Sequence, residues 1–93
     1  MGAGEGHQPY RVELSPRAGR ALDRLSGPIR IRILAAIEDL GTNPRPHGVV
    51  KLTGQDAYRL RVGDYRVVYE IHDRFLLVLL LDVAHRREVY RKR

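Results

Sequence analysis

The 93-residue chain contains no cysteine and no tryptophan, and only one methionine and one phenylalanine. The absence of cysteine excludes disulfides, zinc knuckles and thiol nucleophiles. There is no long apolar run either. The longest, Phe75 to Leu81, is far too short to span a bilayer. Residues 1–9 carry no apolar stretch of the kind found in signal peptides, and they are expected to form a disordered lead-in. A cytoplasmic location fits these absences. Acidic residues are also scarce relative to basic ones: 11 Asp and Glu against 17 Lys and Arg, a formal charge of +6. All but Lys51 and Lys92 of the basic residues are arginine. A GC-rich genome would produce that bias without function. A planar fork of donors suited to phosphate would produce it with one. The charge balance favours a polyanionic partner.

The length allows one domain with one modest core, expected over residues 10–93. Tyr10, Val12 and Leu14 alternate with Arg11 and Glu13, the pattern of a half-buried strand. Ser15-Pro16 starts a helix, with serine as N-cap and proline at the first helical position. Ala18, Ala21, Leu22 and Leu25 then fall on one stripe. Ser26-Gly27-Pro28 breaks this helix and begins another, whose Ile29, Ile33, Ala36, Ile37 and Leu40 share a face. Gly41, Asn43, Pro44 and Pro46 end it. In the second half Tyr58, Leu60 and Val62 alternate with Arg59 and Arg61, and Tyr65, Val67, Tyr69 and Ile71 alternate with Arg66, Val68 and Glu70. Gly63-Asp64 between them is a two-residue hairpin signal. Phe75 to Val83 is nearly continuously apolar and is expected to be a central strand buried on both faces. The predicted fold is α+β, in the order β-α-α-β-β-β. A helical hairpin packs on a mainly antiparallel sheet of about four strands.

The hairpin turn sets the register. Val62 should face Tyr65, Leu60 should face Val67 and Tyr58 should face Tyr69, forming the core side. On the other side Arg61 meets Arg66, with Arg59 diagonal to it. Opposed like charges destabilise a sheet by a few tenths of a kcal/mol. Three arginines can be a solvated face, or they can await an anion. Residues 84–93 hold five basic groups and one acid, and the last strand can return them to this face. Within that tail Tyr90 is either a packing residue or one that stacks on a base or exchanges a proton. His85 is the histidine nearest the patch. Glu70 is expected to balance the arginines. No pair of carboxylates is arranged as in a metal-dependent nuclease, so no metal or other cofactor is expected.

Lys51-Leu52-Thr53-Gly54, the block Tyr58-Arg59-Leu60-Arg61-Val62-Gly63-Asp64-Tyr65-Arg66-Val67-Val68-Tyr69 and the block Val83-Ala84-His85-Arg86-Arg87-Glu88-Val89-Tyr90 together resemble the RelE family of the RelE/ParE toxin superfamily. The resemblance runs over about residues 10–91. It implies the toxin of a type II toxin–antitoxin pair, a metal-independent endoribonuclease that cuts mRNA in the ribosomal A site and stops translation. In that chemistry the ribose 2′-OH attacks the adjacent phosphate. Carried over residue by residue, the family's catalytic groups fall on Arg59, Arg61, Arg66, Arg86 and Tyr90. Lys51, His85, Arg87 and Arg91 would contact RNA. The implied partners are mRNA, the ribosome and an antitoxin whose acidic segment covers the toxin; no membrane and no small-molecule cofactor are implied.

Two departures stand out. Well-studied relatives carry lysines where this chain has Arg59 and Arg61, and arginine supplies electrostatics but no acid–base chemistry. The segment before Tyr90 is shorter than in some relatives, so Arg86 and Arg87 both remain candidates for the catalytic arginine, and His85 for proton transfer. The same fold is shared by ParE-like inhibitors that bind DNA gyrase and cut nothing; a further alternative is a toxin-shaped protein with no remaining activity, serving in a complex with its partner or in repressing transcription.

Overall fold

The structure is a computed structural model that describes residues 9–89. Nine-residue β5 (Leu77–His85) is the spine of a five-stranded mixed sheet ordered β1-β5-β4-β3-β2. The first strand, β1 (Arg11–Leu14), runs parallel to it. The other neighbours, β4 (Tyr65–His72), β3 (Ala57–Val62) and two-residue β2 (Val50–Lys51), are all antiparallel. Strand β2 is the fifth strand, one more than the sequence pattern indicated. Two residues give no alternation to read.

Ser15 makes the local decision that starts α1 (Pro16–Asp23). Its Oγ accepts from the Ala18 N–H at 3.0 Å, and Pro16 fills the first turn. The same hydroxyl donates to the Leu81 carbonyl at 2.9 Å. Leu81 is the extra residue of a bulge: Val68 pairs with Asp82, but Tyr69 pairs with Leu80. The bulge resets the alternation of β5, so that Val78, Leu80 and Val83 are all buried. Strand β5 is therefore apolar for a different reason from burial on both faces. One face is in the core, while Leu77, Leu79 and Leu81 are only half-buried. Phe75 and Leu76 lie outside the strand and are exposed; Leu76 adopts φ 48° in the turn.

Helix α2 (Gly27–Thr42) turns Ile33, Ile37 and Leu40 toward Val62, Val67, Tyr69, Val78 and Leu80, and α1 adds Ala18, Ala21 and Leu22. The Arg30 guanidinium joins the helices by donating to the Leu22 carbonyl. Tyr69, fully buried, donates its hydroxyl to the Pro44 carbonyl at 2.8 Å and stacks on Tyr58. At that end of the sheet Asp73 binds Arg45 at 3.0 and 3.3 Å and accepts from Tyr10. Arg45 also lies over the Tyr58 ring. Among the described residues no helix is long and apolar enough to cross a membrane.

Candidate functional site

The Gly63-Asp64 turn positions the arginines. Gly63 adopts φ 60°, and the pairs that follow are Val62 with Tyr65, Arg61 with Arg66 and Arg59 with Val68. Cross-strand partners point to the same face. Val62, Tyr65 and Val67 face the helices. Arg59, Arg61 and Arg66 share the opposite face.

The three arginines differ in exposure. Arg61 is exposed, Arg59 half-buried, and Arg66 only 3% exposed. Burial of Arg66 departs from the expectation of an open arginine patch. Alternation says which side of a sheet a residue takes, not what else covers it. Ala84 is Arg66's partner on β5, and its methyl group leaves room beside the guanidinium. Arg66 Nη1 donates to the Arg86 carbonyl at 3.4 Å.

Arg86 opens the short helix α3 (Arg86–Val89). Its backbone N–H donates to the Asp64 carbonyl at 2.8 Å, which ties the start of the C-terminal segment to the β3–β4 turn. Arg86 and Arg87 are both exposed. The arginine row, the turn and the start of α3 thus meet at one end of the sheet. A guanidinium with its backbone partner in place before any substrate arrives is a preorganised cation for a phosphate.

Other residues singled out from the sequence go elsewhere. Lys51 pairs with Tyr58, which places it on the helix side of the sheet, away from Arg59. Its Nζ donates to the Gln55 carbonyl at 2.8 Å. His85 pairs with Tyr65, also on the helix side, and their rings meet edge to face at 5.3 Å. Tyr90 and Arg91 lie outside the described residues. Glu70 does not balance the arginines: its Oε1 lies 2.8 Å from His72 Nε2, two residues along β4. Residues i and i+2 of a strand share a face, so this pair was readable from spacing. Among the described residues no three His, Asp or Glu side chains gather as a metal site.

Comparison with known proteins adds family evidence. The family described as the ParE toxin of the type II toxin–antitoxin system parDE matches residues 12–90. Toxin RelG of Mycobacterium tuberculosis is 35% identical over 92 residues, covering 90% of this chain and 99% of that protein. Among solved structures, the archaeal RelE–RelB complex from Pyrococcus horikoshii contains a chain 32% identical, with a TM-score of 0.76; the match covers 84% of this chain and 96% of that one. The isolated E. coli RelE toxin is 27% identical with a TM-score of 0.73, covering 87% and 90%.

Proposed function

The chain belongs to the RelE family, within the RelE/ParE superfamily of type II toxins, and from that membership we propose that it is an endoribonuclease cutting mRNA in the ribosomal A site. The observation that carries this reading is the direct opposition of Arg61 and Arg66, with Arg66 buried and bonded to the Arg86 carbonyl. Opposed like charges cost about 0.2–1 kcal/mol, and a bound phosphate would convert that repulsion into attraction.

The proposed step is a transesterification. The ribose 2′-oxygen attacks phosphorus and gives up its proton. The bond from phosphorus to the 5′-oxygen breaks, that oxygen takes a proton from water, and a 2′,3′-cyclic phosphate remains. Arg66 holds the scissile phosphate and stabilises the charge that builds on it. Arg61 and Arg59 bind flanking backbone; as arginines they contribute charge without taking a proton. Arg86 faces the leaving oxygen. Tyr90 orients the reacting nucleotide and, in its ionised phenolate form, accepts the 2′ proton. Arg87 and Arg91 add positive charge for RNA, and the ribosome supplies the aligned strand. Lys51 and His85, on the helix side, bind outside this row. A cognate antitoxin carrying an acidic segment completes the system by screening the arginines. The RelE–RelB complex among the similar structures supports such a partner.

The match to a family described by a ParE toxin favours a second reading, a gyrase inhibitor without nuclease activity. Pulse labelling in cells after induction separates the two. An RNA-cutting toxin stops amino-acid incorporation before thymidine incorporation. The reverse order would exclude the nuclease reading.

A further inference from the structure

The arginine row has a counterpart around the corner of the same sheet end. On the helix side, α2, the β3–β4 turn and the end of β5 enclose an open hollow of about 440 Å³. Ile29 and Arg32 form one wall, Gly63 and Asp64 the floor, and Tyr65 and His85 the other wall. Gly63 makes this approach possible. A Cβ on it would lie 3.3 Å from Ile29 Cδ1 and 3.5 Å from Arg32 Nη1, at a φ that other residues rarely adopt. The Arg87 N–H donates to His85 Nδ1 at 3.3 Å, which makes Nε2–H the donor of the neutral ring.

The volume lies within the range of small-ligand sites, about 300–1,000 Å³. Its lining is chemically mixed: a guanidinium, an imidazole, a phenol ring and a carboxylate. An inorganic anion would use the first two and be repelled by Asp64. An acidic peptide would meet the same repulsion and leave the rings unused. A nucleotide uses every group. Its phosphate matches Arg32 and His85 Nε2–H, its base matches the aromatic wall, and an exocyclic amino group matches the Asp64 carboxylate. Position agrees with chemistry. Tyr65 and His85 immediately precede Arg66 and Arg86 in the chain, and Val62 follows Arg61. The hollow and the arginine row are therefore opposite sides of one strand end.

We propose that the Arg32–Asp64–Tyr65–His85 hollow is a subsite for one nucleotide flanking the scissile phosphate, selective for bases that carry an exocyclic amino group. The proposal rests on the reading of the chain as an RNA-cutting toxin, but its test does not need cleavage. The full chain, freed of antitoxin, is titrated with adenosine 5′-monophosphate and with uridine 5′-monophosphate while the ring signals of Tyr65 and His85 are followed by NMR. Adenosine monophosphate should shift both rings and bind about tenfold more tightly than uridine monophosphate, a difference of ~1.4 kcal/mol. Asp64→Ala, at an exposed turn position, removes the acceptor and should erase that preference. Arg32→Gln should weaken both nucleotides about equally. Rings unmoved at millimolar nucleotide, or a preference that survives Asp64→Ala, overturn the proposal. So does an acidic peptide that moves the rings when nucleotides do not. Cleavage on programmed ribosomes without ring shifts defeats the subsite alone. Ring shifts from a protein that cuts no RNA defeat the nuclease reading and leave the hollow a nucleotide site.

Discussion

Arg66 Nη1 reaches the carbonyl of Arg86, twenty residues further along the chain, at 3.4 Å, and the Arg86 N–H reaches the Asp64 carbonyl at 2.8 Å. These two bonds join the arginine face of the sheet, the β3–β4 turn and the entry to α3. The position of Arg86 thus depends on the same turn that opposes Arg61 to Arg66.

Replacing Arg66 tests the preorganised cation. Arg66→Gln keeps a donor for the Arg86 carbonyl but loses the charge. Single-turnover cleavage should fall by about 10²–10³, the loss seen when one transition-state donor is removed. A rate within a few-fold of wild type would contradict the role given to Arg66.

The same geometry separates the two exposed arginines of α3. Arg86, whose main chain is held on both sides, should matter more than its neighbour. Arg86→Ala should lower the cleavage rate about 10²-fold, whereas Arg87→Ala should mainly weaken RNA binding and steepen no other defect. Equal losses in the chemical step would reassign the catalytic arginine.

Tyr69 links the core to the loop after α2. Tyr69→Phe leaves the Pro44 carbonyl without its partner and should cost about 1–2 kcal/mol in urea denaturation. Burial pushes the Tyr69 phenol above its ordinary value of 10.0, with the nearby Tyr58 adding to the rise. The unfolded chain then ionises first. The contribution of this group is complete below about pH 10 and declines as pH rises toward the folded value. The variant should therefore lose less stability than wild type on going from neutral to strongly alkaline solution.

At acid pH the corresponding group is Asp73. Its hydrogen bond from Arg45, and then that from Tyr10, hold the carboxyl below its ordinary value of 3.8. A depressed carboxylate contributes stability above the unfolded value, and this is lost as pH falls through the folded one. Asp73→Asn should be less stable than wild type at neutral pH and should show a flatter decline below about pH 4, read by thermal melting across the acid range. An unchanged acid profile would mean that the exposed pair contributes nothing.

What the sequence made legible was mostly local. Ser15-Pro16 marked a helix start, Gly63-Asp64 fixed six cross-strand pairs, and alternation put Arg59, Arg61 and Arg66 on one face. What stayed hidden depends on partners far apart in the chain. Arg11 pairs with Leu77 in parallel, and no local pattern announces that. The bulge at Leu81 disguises a one-sided strand as a continuous apolar run. Arg66 was assigned to the correct face, but its burial needed the fold. The resemblance gave Lys51 an RNA contact, and its pairing with Tyr58 puts it on the side of the sheet opposite Arg59. Arg45 and Asp73, 28 residues apart, gave no sign of each other.

The most direct test of the central claim is to map mRNA ends on ribosomes programmed with a defined message, adding antitoxin-free wild-type protein or Tyr90→Phe. Wild type should give new 5′ ends within the A-site codon and 2′,3′-cyclic phosphate on the upstream fragment, and Tyr90→Phe should give neither. Intact mRNA in the presence of correctly folded wild-type protein would contradict it and leave gyrase as the target to examine.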